Sequence, residues 1–184
     1  MRKLIASEWM SLDGVFDADT MEQWFHPYQS PDTQGYIQAN VQDFDDVLVG
    51  RVTYEMLAGY WPQQRNNESG IADKLNAMPK HVVSTTLRKA EWSNSTIIRD
   101  NVVDAVTRLK AQPGRDIILF GSAALAQTLM RAGLIDEYRF LVHPVMAGHG
   151  KRFFRDGMES TLKLVESQTL AQGVLLLRYQ PGKA

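Results

Sequence analysis

Short apolar runs separated by amphipathic stretches make up the first two thirds of the chain. The runs are bounded by Gly, Asp or Asn, and they lie at 4–6, 46–49, 80–84, 96–98 and 116–120, the first of them continuing to about Trp9. Continuous apolar runs of this length are typical of strands that are covered on both faces, because a strand with one wet face alternates apolar and polar residues. The pattern therefore predicts five buried strands.

The stretches between these runs have the spacing of amphipathic helices. Val102, Val106 and Leu109 recur at intervals of four and three, and further helices are predicted after Gly50, over 36–44 and after Ser122. Toward the end of the chain the pattern changes, and apolar runs at 162–166 and 174–179 flank a turn at 171–173. This arrangement predicts an antiparallel hairpin. Together the elements indicate an α/β class, with a mostly parallel mixed sheet and an antiparallel C-terminal hairpin.

Composition and charge narrow the class of protein. The chain has 184 residues, 44% hydrophobic and 22% charged, which is typical of one globular domain spanning 1–184. Its 20 basic and 21 acidic residues leave a net charge of −1, so nothing points to nucleic acid or to an anionic membrane surface as a partner. The absence of cysteine excludes disulfides and thiolate chemistry and fits a cytoplasmic protein. No two of the four histidines have the spacing of metal ligands on a helix, so no metal site is expected.

Two predicted strand ends carry residues that suit a phosphate group. Gly50 ends one strand and is followed by Arg51 and Thr53 at the start of a helix, and Gly121 and Ser122 repeat the arrangement after 116–120. Glycine permits close backbone approach, and the free N–H groups of a helix start bind anions. Each turn alone is more simply explained by an ordinary helix cap. Two such turns in one sheet could hold both ends of a dinucleotide pyrophosphate.

Four segments occur in an order that is typical of a known family: 11–14 (Ser-Leu-Asp-Gly), 50–55 (Gly-Arg-Val-Thr-Tyr-Glu), 120–122 (Phe-Gly-Ser) and 143–150 (His-Pro-Val-Met-Ala-Gly-His-Gly). In this order and spacing they resemble the dihydrofolate reductase-like superfamily. The likeness is to the branch similar to the reductase domain of the bifunctional riboflavin-biosynthesis enzyme, and it covers about residues 2–180. It implies the three-layer dihydrofolate reductase-like fold.

The resemblance implies NADPH as cofactor. The implied cofactor contacts come from the first strand, from the two glycine turns and from the residues after the third strand: Ala6, Gly50, Arg51, Thr53, Ser84, Thr85, Phe120, Gly121, Ser122, Ala123 and Leu125. The implied substrate contacts include Asp13 and Gly14, with Asp13 as the candidate catalytic residue, and Tyr54 is added from the first glycine turn. Asp-Gly is also a common turn sequence, which is the alternative explanation of that pair.

Aromatic residues crowd the first third of the chain: Trp9, Trp24, Phe25, Tyr28 and Trp61. They could wall a pocket for a flat heterocycle, with Trp9 and Trp24 as substrate contacts, or they could be ordinary core.

The chain departs from dihydrofolate reductases proper at the acidic residue that binds the pteridine in those enzymes. Counting back sixteen positions from Gly50 reaches Gln34, and the nearest carboxylate is Asp32 at a predicted helix start. Dihydrofolate is therefore not the expected substrate.

We expect an NADPH-dependent reductase, similar to 5-amino-6-ribosylaminouracil reductase or to dihydrofolate reductase. It would transfer a hydride to a small, flat, pterin- or pyrimidine-like heterocycle or to a carbonyl compound. The alternative is a non-catalytic nucleotide- or pterin-binding module that kept the pocket and lost the catalytic acid.

A homodimer is also expected, because the run 174–177 is apolar on both strand faces. If Val174 and Leu176 face the core, Leu175 and Leu177 need cover from a second copy or from a helix of the same chain.

Overall fold

Eight strands form one mixed sheet in the computed structural model, which describes residues 1–64 and 70–182. The strands are β1 Leu4–Ser11, β2 Phe44–Gly50, β3 Lys80–Val83, β4 Ser95–Ile98, β5 Asp116–Phe120, β6 Glu137–His143, β7 Leu162–Thr169 and β8 Leu175–Pro181. Their order across the sheet is β4-β3-β2-β5-β1-β6-β8-β7. Every neighbouring pair is parallel except the two that involve β8.

Helices cover both faces of this sheet. The α-helices within the described residues are α1 Met21–Trp24, α2 Pro31–Gln42, α3 Arg51–Tyr60, α4 Ile71–Ala77, α5 Val102–Ala111 and α6 Ala123–Arg131. On one face α2, α3 and α4 bury Val41, Tyr54 and Leu75, and on the other face α5 and α6 bury Val106 and Leu129. The predicted class, a mostly parallel mixed sheet between helical layers with an antiparallel C-terminal hairpin, is confirmed. Across 1–64 and 70–182, no helix has the length and apolar character that crossing a membrane requires.

Helix α2 begins five residues earlier than the apolar spacing predicts. Its start at Pro31 is fixed by a reciprocal cap, in which Ser30 Oγ accepts the N–H of Thr33 and Thr33 Oγ1 accepts the N–H of Ser30. Proline suits the first helical position because the N–H that it lacks has no partner there. The first turn is polar, so hydrophobic periodicity alone does not indicate it. This earlier start matters because it adds Gln34 and Gly35 to the helix.

The two parallel neighbours of β1 diverge near its middle. Pairing with β5 ends at Ala6, opposite Leu119, whereas pairing with β6 continues to Ser11, opposite His143. The pairing with β6 also explains why β1 extends beyond Trp9. The sheet is therefore open between β1 and β5 at the carboxyl ends of the strands. Open α/β sheets bind their ligands in this position.

Candidate active site

The two glycine turns pack directly against each other at this opening. A Cβ atom placed on Gly50 would lie 3.0 Å from the Cβ of Ser122. A Cβ atom on Gly121, whose φ is +48°, would lie 2.5 Å from Thr53 Oγ1. A side chain at Gly121 would collide with Thr53, and one at Gly50 would press tightly on Ser122, so the glycines permit the contact between the turns. We call Gly50, Thr53, Gly121 and Ser122 the glycine cradle.

The glycine cradle contains the first residues of two helices. Gly50 caps α3 without a side-chain hydrogen bond, and Ser122 caps α6 by accepting the N–H of Leu125 at 3.4 Å. The first N–H groups of a helix lack partners within it and carry partial positive charge. Because two such helix starts meet here, the cradle suits an anion that carries two phosphate groups, such as a dinucleotide pyrophosphate. The structure thus brings together the two turns that the sequence singled out.

The other residues predicted to contact the cofactor present mainly their backbone to this edge. The side chains of Ala6, Ala123 and Leu125 are buried in the core, and that of Phe120 packs against it. A ligand at the cradle can therefore meet Ala6, Ala123 and Leu125 mainly through main-chain atoms.

The turn after β3 begins beside the cradle, because Val83 pairs with Gly50 in the sheet. Ser84 Oγ accepts the N–H groups of Thr86 and Leu87 at 3.1 and 2.9 Å, so this hydroxyl shapes its own turn. Thr85 is exposed next to it. The predicted role of Ser84 and Thr85 in cofactor binding stays a prediction.

Arg51 lies in the first turn of α3 with its guanidinium in solvent. Its Nη1 donates to Glu55 Oε2 at 2.8 Å, one helical turn away, and both side chains are more than two-fifths exposed. Exposed pairs of this kind contribute only about 0.3–0.5 kcal/mol. A phosphate group at the start of α3 can therefore replace the carboxylate as the partner of Arg51.

A cavity of about 540 Å³ lies on the face of the sheet that carries α2. Aromatic side chains from β1, from the segment before α2 and from the end of α3 line much of it: Trp9, Phe25, Tyr28, Tyr60 and Trp61. The rings of Trp9 and Phe25 are stacked, with centroids 4.5 Å apart and planes inclined by 2°. We call this cavity the aromatic pocket. Its walls suit a flat ring, because stacked aromatic surfaces accept another planar group with little rearrangement.

Two of the predicted substrate contacts lie away from the aromatic pocket. Trp24 is buried beneath it, where the indole N–H donates to Thr20 Oγ1 at 3.0 Å. Tyr54 is buried in the core, and its hydroxyl accepts the N–H of Trp92 at 3.0 Å. Each of these rings has its polar atom satisfied by the protein, which is typical of core aromatic residues. Of the predicted substrate contacts with aromatic rings, the structure brings only Trp9 to this pocket.

His143 closes the inner end of the aromatic pocket. This residue belongs to the segment 143–150 that carries the family resemblance, but the sequence did not identify it as a pocket residue. Its side chain is buried, and Nδ1 lies 3.1 Å from the carbonyl oxygen of Met10. Burial lowers the pKa of this imidazole, so the ring is neutral near pH 7. Since a carbonyl oxygen only accepts, Nδ1 carries the proton and Nε2 is left as an acceptor.

Asp13 and Gly14 lie on the opposite face of the sheet, where they line a groove of about 650 Å³. The carboxylate of Asp13 accepts hydrogen bonds from Ser11 Oγ at 2.6 Å, from the N–H groups of Ala147 and Gly148 at 3.0 Å each, and from Arg152 at 3.1 Å. These donors hold the pKa of Asp13 far below its ordinary value. Asp13 therefore stays ionised and connects two loops, and its predicted catalytic role stays a prediction.

Glu8 is a buried acid at the opening of the sheet that the sequence interpretation did not single out. Its Oε1 accepts the N–H of Gly121 at 2.9 Å, and no cation among the described residues forms an ion pair with it. Burial raises the pKa of this carboxyl well above its usual range. The available signal was an acidic residue inside an otherwise apolar strand, which is unusual unless the residue has a specific partner. Glu8 thus holds the Gly121 turn of the glycine cradle in place through this buried hydrogen bond.

Replacing Glu8 with glutamine is expected to stabilise the protein at neutral pH and to have little effect in acid. The folded state raises the pKa of Glu8, so the wild type loses stability as the pH rises from about 4.3, where a free glutamate ionises, toward the folded pKa. Glutamine keeps an oxygen for the N–H of Gly121 and does not ionise. Thermal melts of both proteins across this pH range measure the difference, and a gap that stays constant with pH would contradict the assignment.

No carboxylate lines the aromatic pocket in the described part of the chain. Within 1–64 and 70–182, no three or more His, Cys, Asp or Glu side chains gather as metal ligands. Gln34 lines the pocket from α2, at the position identified by counting back from Gly50. The carboxylate of Asp32 instead accepts the N–H of Ala171 at 2.7 Å, outside the pocket. The described lining of the pocket therefore contains no Asp, Glu, Lys or Arg, and its two histidines are His26 and His143.

Known proteins share both the sequence and the fold of this chain. A model of the RibD C-terminal domain matches residues 2–176. The uncharacterized protein YyaP of Bacillus subtilis is 31% identical over 182 residues, which is 97% of this chain and 94% of YyaP. Two solved structures have the same fold at lower identity. One is a protein assigned to riboflavin biosynthesis from Shewanella sp. PV-4, with a TM-score of 0.79, 19% identity and coverage of 98% of this chain and 99% of that one.

The second solved structure is dihydrofolate reductase from Enterococcus faecalis, complexed with NADP(H). It has a TM-score of 0.65 and 14% identity, and the match covers 98% of this chain and 97% of that chain. The dihydrofolate reductase-like fold that the sequence resemblance implied is therefore confirmed. With the family match over almost its whole length, the chain belongs to the RibD C-terminal domain family.

Proposed function

We propose that this protein is an NADPH-dependent reductase of a small, flat heterocyclic or carbonyl compound. The observation that carries the proposal is the glycine cradle, in which two helix starts meet at the opening of the sheet. The family match supports a reductase, and the E. faecalis dihydrofolate reductase of the same fold was solved with NADP(H). The cofactor supplies the hydride, and the protein supplies binding and orientation.

The residues of the chain divide this task between two regions. The cradle holds the pyrophosphate through helix N–H groups and Thr53, and Arg51 binds a further phosphate group at the start of α3. The aromatic pocket holds the substrate ring against the stacked pair of Trp9 and Phe25 and against Trp61, and their apolar surfaces exclude water from it. At the inner end, Nε2 of His143 accepts a hydrogen bond from a ring N–H.

A thermal melt with NADPH tests the proposal. A ligand at about 100 times its Kd stabilises the native state by about 2.7 kcal/mol, which corresponds to a rise in melting temperature of roughly 5–11 °C for a chain of this size. Millimolar NADPH is expected to produce such a rise, and NADH a smaller one. A melt that NADPH leaves unchanged would remove the cofactor from the proposal.

The second candidate is a binding module without catalytic activity. It is favoured by one observation, the absence of a carboxylate from the described lining of the aromatic pocket. Oxidation of NADPH, followed by absorbance with a panel of pterins, pyrimidines and small carbonyl compounds, distinguishes the two. A reductase oxidises NADPH with at least one compound of the panel. A binding module gives the thermal shift and no oxidation.

We also propose that two copies associate through the groove on the other face of the sheet. Val174 and Leu176 are buried in the core, while Leu177 lines the groove and Leu175 is 36% exposed. All of the described lining residues of the groove come from strands and loops, so no helix residue among them covers Leu177. A second copy related by a two-fold axis would bury this apolar surface.

Changing both Leu175 and Leu177 to aspartate is expected to convert the dimer to a monomer, because two carboxylates would be buried without partners in the interface. Size-exclusion chromatography with light scattering is expected to give about twice 20.8 kDa for the wild type and 20.8 kDa for the double variant. Val103→Asp is the control, since Val103 is similarly exposed at 38% but lies on α5. A wild-type mass of one chain would contradict the dimer, and a dimeric double variant would contradict this interface.

A further inference from the structure

Glu8 is a buried carboxyl in direct contact with the glycine cradle, and the division of tasks proposed above does not use it. It lies on β1 two residues beyond Ala6, where the pairing with β5 ends. Only 5% of the residue is exposed, and Oε1 accepts the N–H of Gly121 at 2.9 Å. Acidic side chains are rarely buried to this extent without a cationic partner. The charge state of Glu8 therefore bears on any ligand that the cradle holds.

The hydrogen bond to Gly121 places this carboxyl close to the anion-binding groups of the cradle. Gly121 is followed directly by Ser122, the cap of α6, where the free N–H groups of the helix begin. Successive Cα atoms are about 3.8 Å apart, and charges interact over about 10 Å even at 0.1 M salt. An ionised Glu8 therefore repels an anion at the cradle, whereas a protonated Glu8 does not.

No positive side chain of the described residues offsets the charge of Glu8. Burial raises the pKa of this carboxyl, and the N–H of Gly121 is the one group that lowers it. Its strand neighbour on β6 is the apolar Phe140, and the ionisable residues of the surrounding elements form no hydrogen bond or ion pair with it. These residues are Asp116 at the start of β5, Arg131 at the end of α6, Tyr138 on β6, Arg51 on α3 and Arg152 in the loop after β6. Burial raises the pKa of Tyr138 to about 12, so its hydroxyl is neutral as well.

We infer that the glycine cradle binds its anion together with a proton on Glu8, so that the affinity for NADPH falls as Glu8 ionises. This inference rests on the proposed function, in which the anion is the pyrophosphate of the cofactor. The coupling is reciprocal, because protonation of Glu8 strengthens anion binding and the anion in turn strengthens binding of the proton. Glu8 acts through its charge and through the Gly121 turn, and is therefore a positioning residue.

Two amide variants separate the charge of Glu8 from its hydrogen bond. Glu8→Gln keeps an oxygen for the N–H of Gly121 and removes the ionisable group. Asp116→Asn is the matched control, because Asp116 also accepts a backbone N–H, that of Lys3 at 2.8 Å. It lies at the first position of β5, whereas Gly121 follows the last. Both variants replace an acid with its amide, and only Glu8→Gln does so beside the cradle.

Calorimetric titrations of the full chain with NADPH from about pH 6 to about pH 9.5 test the inference, since a buried glutamate can have a pKa as high as about 8–9. Wild type and Glu8→Gln are expected to bind equally at the acidic end. At the alkaline end the wild type is expected to bind more weakly than Glu8→Gln by roughly 5- to 150-fold, the usual range for coupled sites. Asp116→Asn is expected to follow the wild type throughout. Comparison at equal pH cancels the titration of the nucleotide itself.

Proton uptake and a second probe complete the test. Wild-type titrations in buffers of different ionisation enthalpy are expected to show uptake of protons that Glu8→Gln lacks. A ratio of the two affinities that stays constant with pH, or equal proton uptake, would reduce Glu8 to a structural role and overturn the inference, while NADPH would remain the cofactor. Inorganic pyrophosphate, followed by thermal melts, is the second probe. If it shows the expected ratio where NADPH does not bind, the proposed cofactor is refuted and the inference stands. Binding of neither probe would overturn both.

Discussion

Replacing Gly121 with alanine is expected to abolish the stabilisation by NADPH and to lower the melting temperature of the free protein. The backbone at Gly121 has a φ of +48°, and the new Cβ would lie 2.5 Å from Thr53 Oγ1. A left-handed conformation costs a non-glycine residue about 1–3 kcal/mol, and overpacking costs about the same. We therefore expect a loss of about 2–6 kcal/mol, or roughly 4–24 °C for a domain of this size. Separation of the two turns would also disperse the N–H groups that bind the anion.

Gly133→Ala is the control for this prediction. Gly133 follows α6 with a φ of +64°, and a Cβ atom there meets nothing within 4 Å. It therefore shares the conformational strain of the Gly121 variant without the collision. We expect a smaller loss of melting temperature and an unchanged response to NADPH. A second check is Thr53→Ala combined with Gly121→Ala, which removes the colliding atom and should recover part of the stability. If the Gly121 and Gly133 variants respond equally to NADPH, the contact between the turns is not the cofactor site.

Replacing Arg51 with alanine is expected to weaken NADPH binding by roughly 10- to 150-fold and to leave NADH binding almost unchanged. The expected loss corresponds to about 1.5–3 kcal/mol for a charge-assisted contact with the 2′-phosphate, which only NADPH carries. Stability without ligand should change little, because Arg51 is exposed and its pair with Glu55 is weak. Titration with each nucleotide measures both affinities.

Glu55→Ala is the matched variant for Arg51. It frees the guanidinium without removing it, so NADPH affinity is expected to stay the same or to increase slightly. Loss of both nucleotides to the same extent in Arg51→Ala would place this guanidinium at the pyrophosphate or in a structural pair. The ratio of the two affinities is therefore the informative quantity.

Local signals in the sequence predicted most of the fold. Buried parallel strands are recognisable because they are apolar throughout, and the helix that follows Ser122 is recognisable from its cap, which the structure contains. The same kind of signal indicated the two glycine turns. The start of α2 was missed because Ser30 and Thr33 fix it through polar side chains rather than through hydrophobic spacing.

The side chains of the candidate site were harder to predict because their placement depends on tertiary packing. Trp9 and Trp24 are both aromatic residues of the first third of the chain, yet one lines the pocket and the other lies beneath it. Composition does not distinguish them, since Trp9 is placed by β1 and Trp24 by the last position of α1, where its indole is held by Thr20. His143 joins Trp9 only because β6 pairs with the far end of β1. Such neighbours are set by the register of the sheet.

The central position of β1 has a consequence for the biosynthesis of the protein. Leu4 pairs with Ile117 and Ile5 pairs with Glu137, so the neighbours of this strand follow it by more than a hundred residues. At about 5–20 residues per second, translation takes roughly 5–25 s to supply the first of them. During that interval an apolar strand is without its partners on the ribosome, where it is exposed to aggregation and available to chaperones. Slower translation would lengthen this exposure, and a higher temperature would make aggregation during it faster. The yield of folded protein should therefore depend on the rate and temperature of synthesis, even under conditions in which the finished protein is stable.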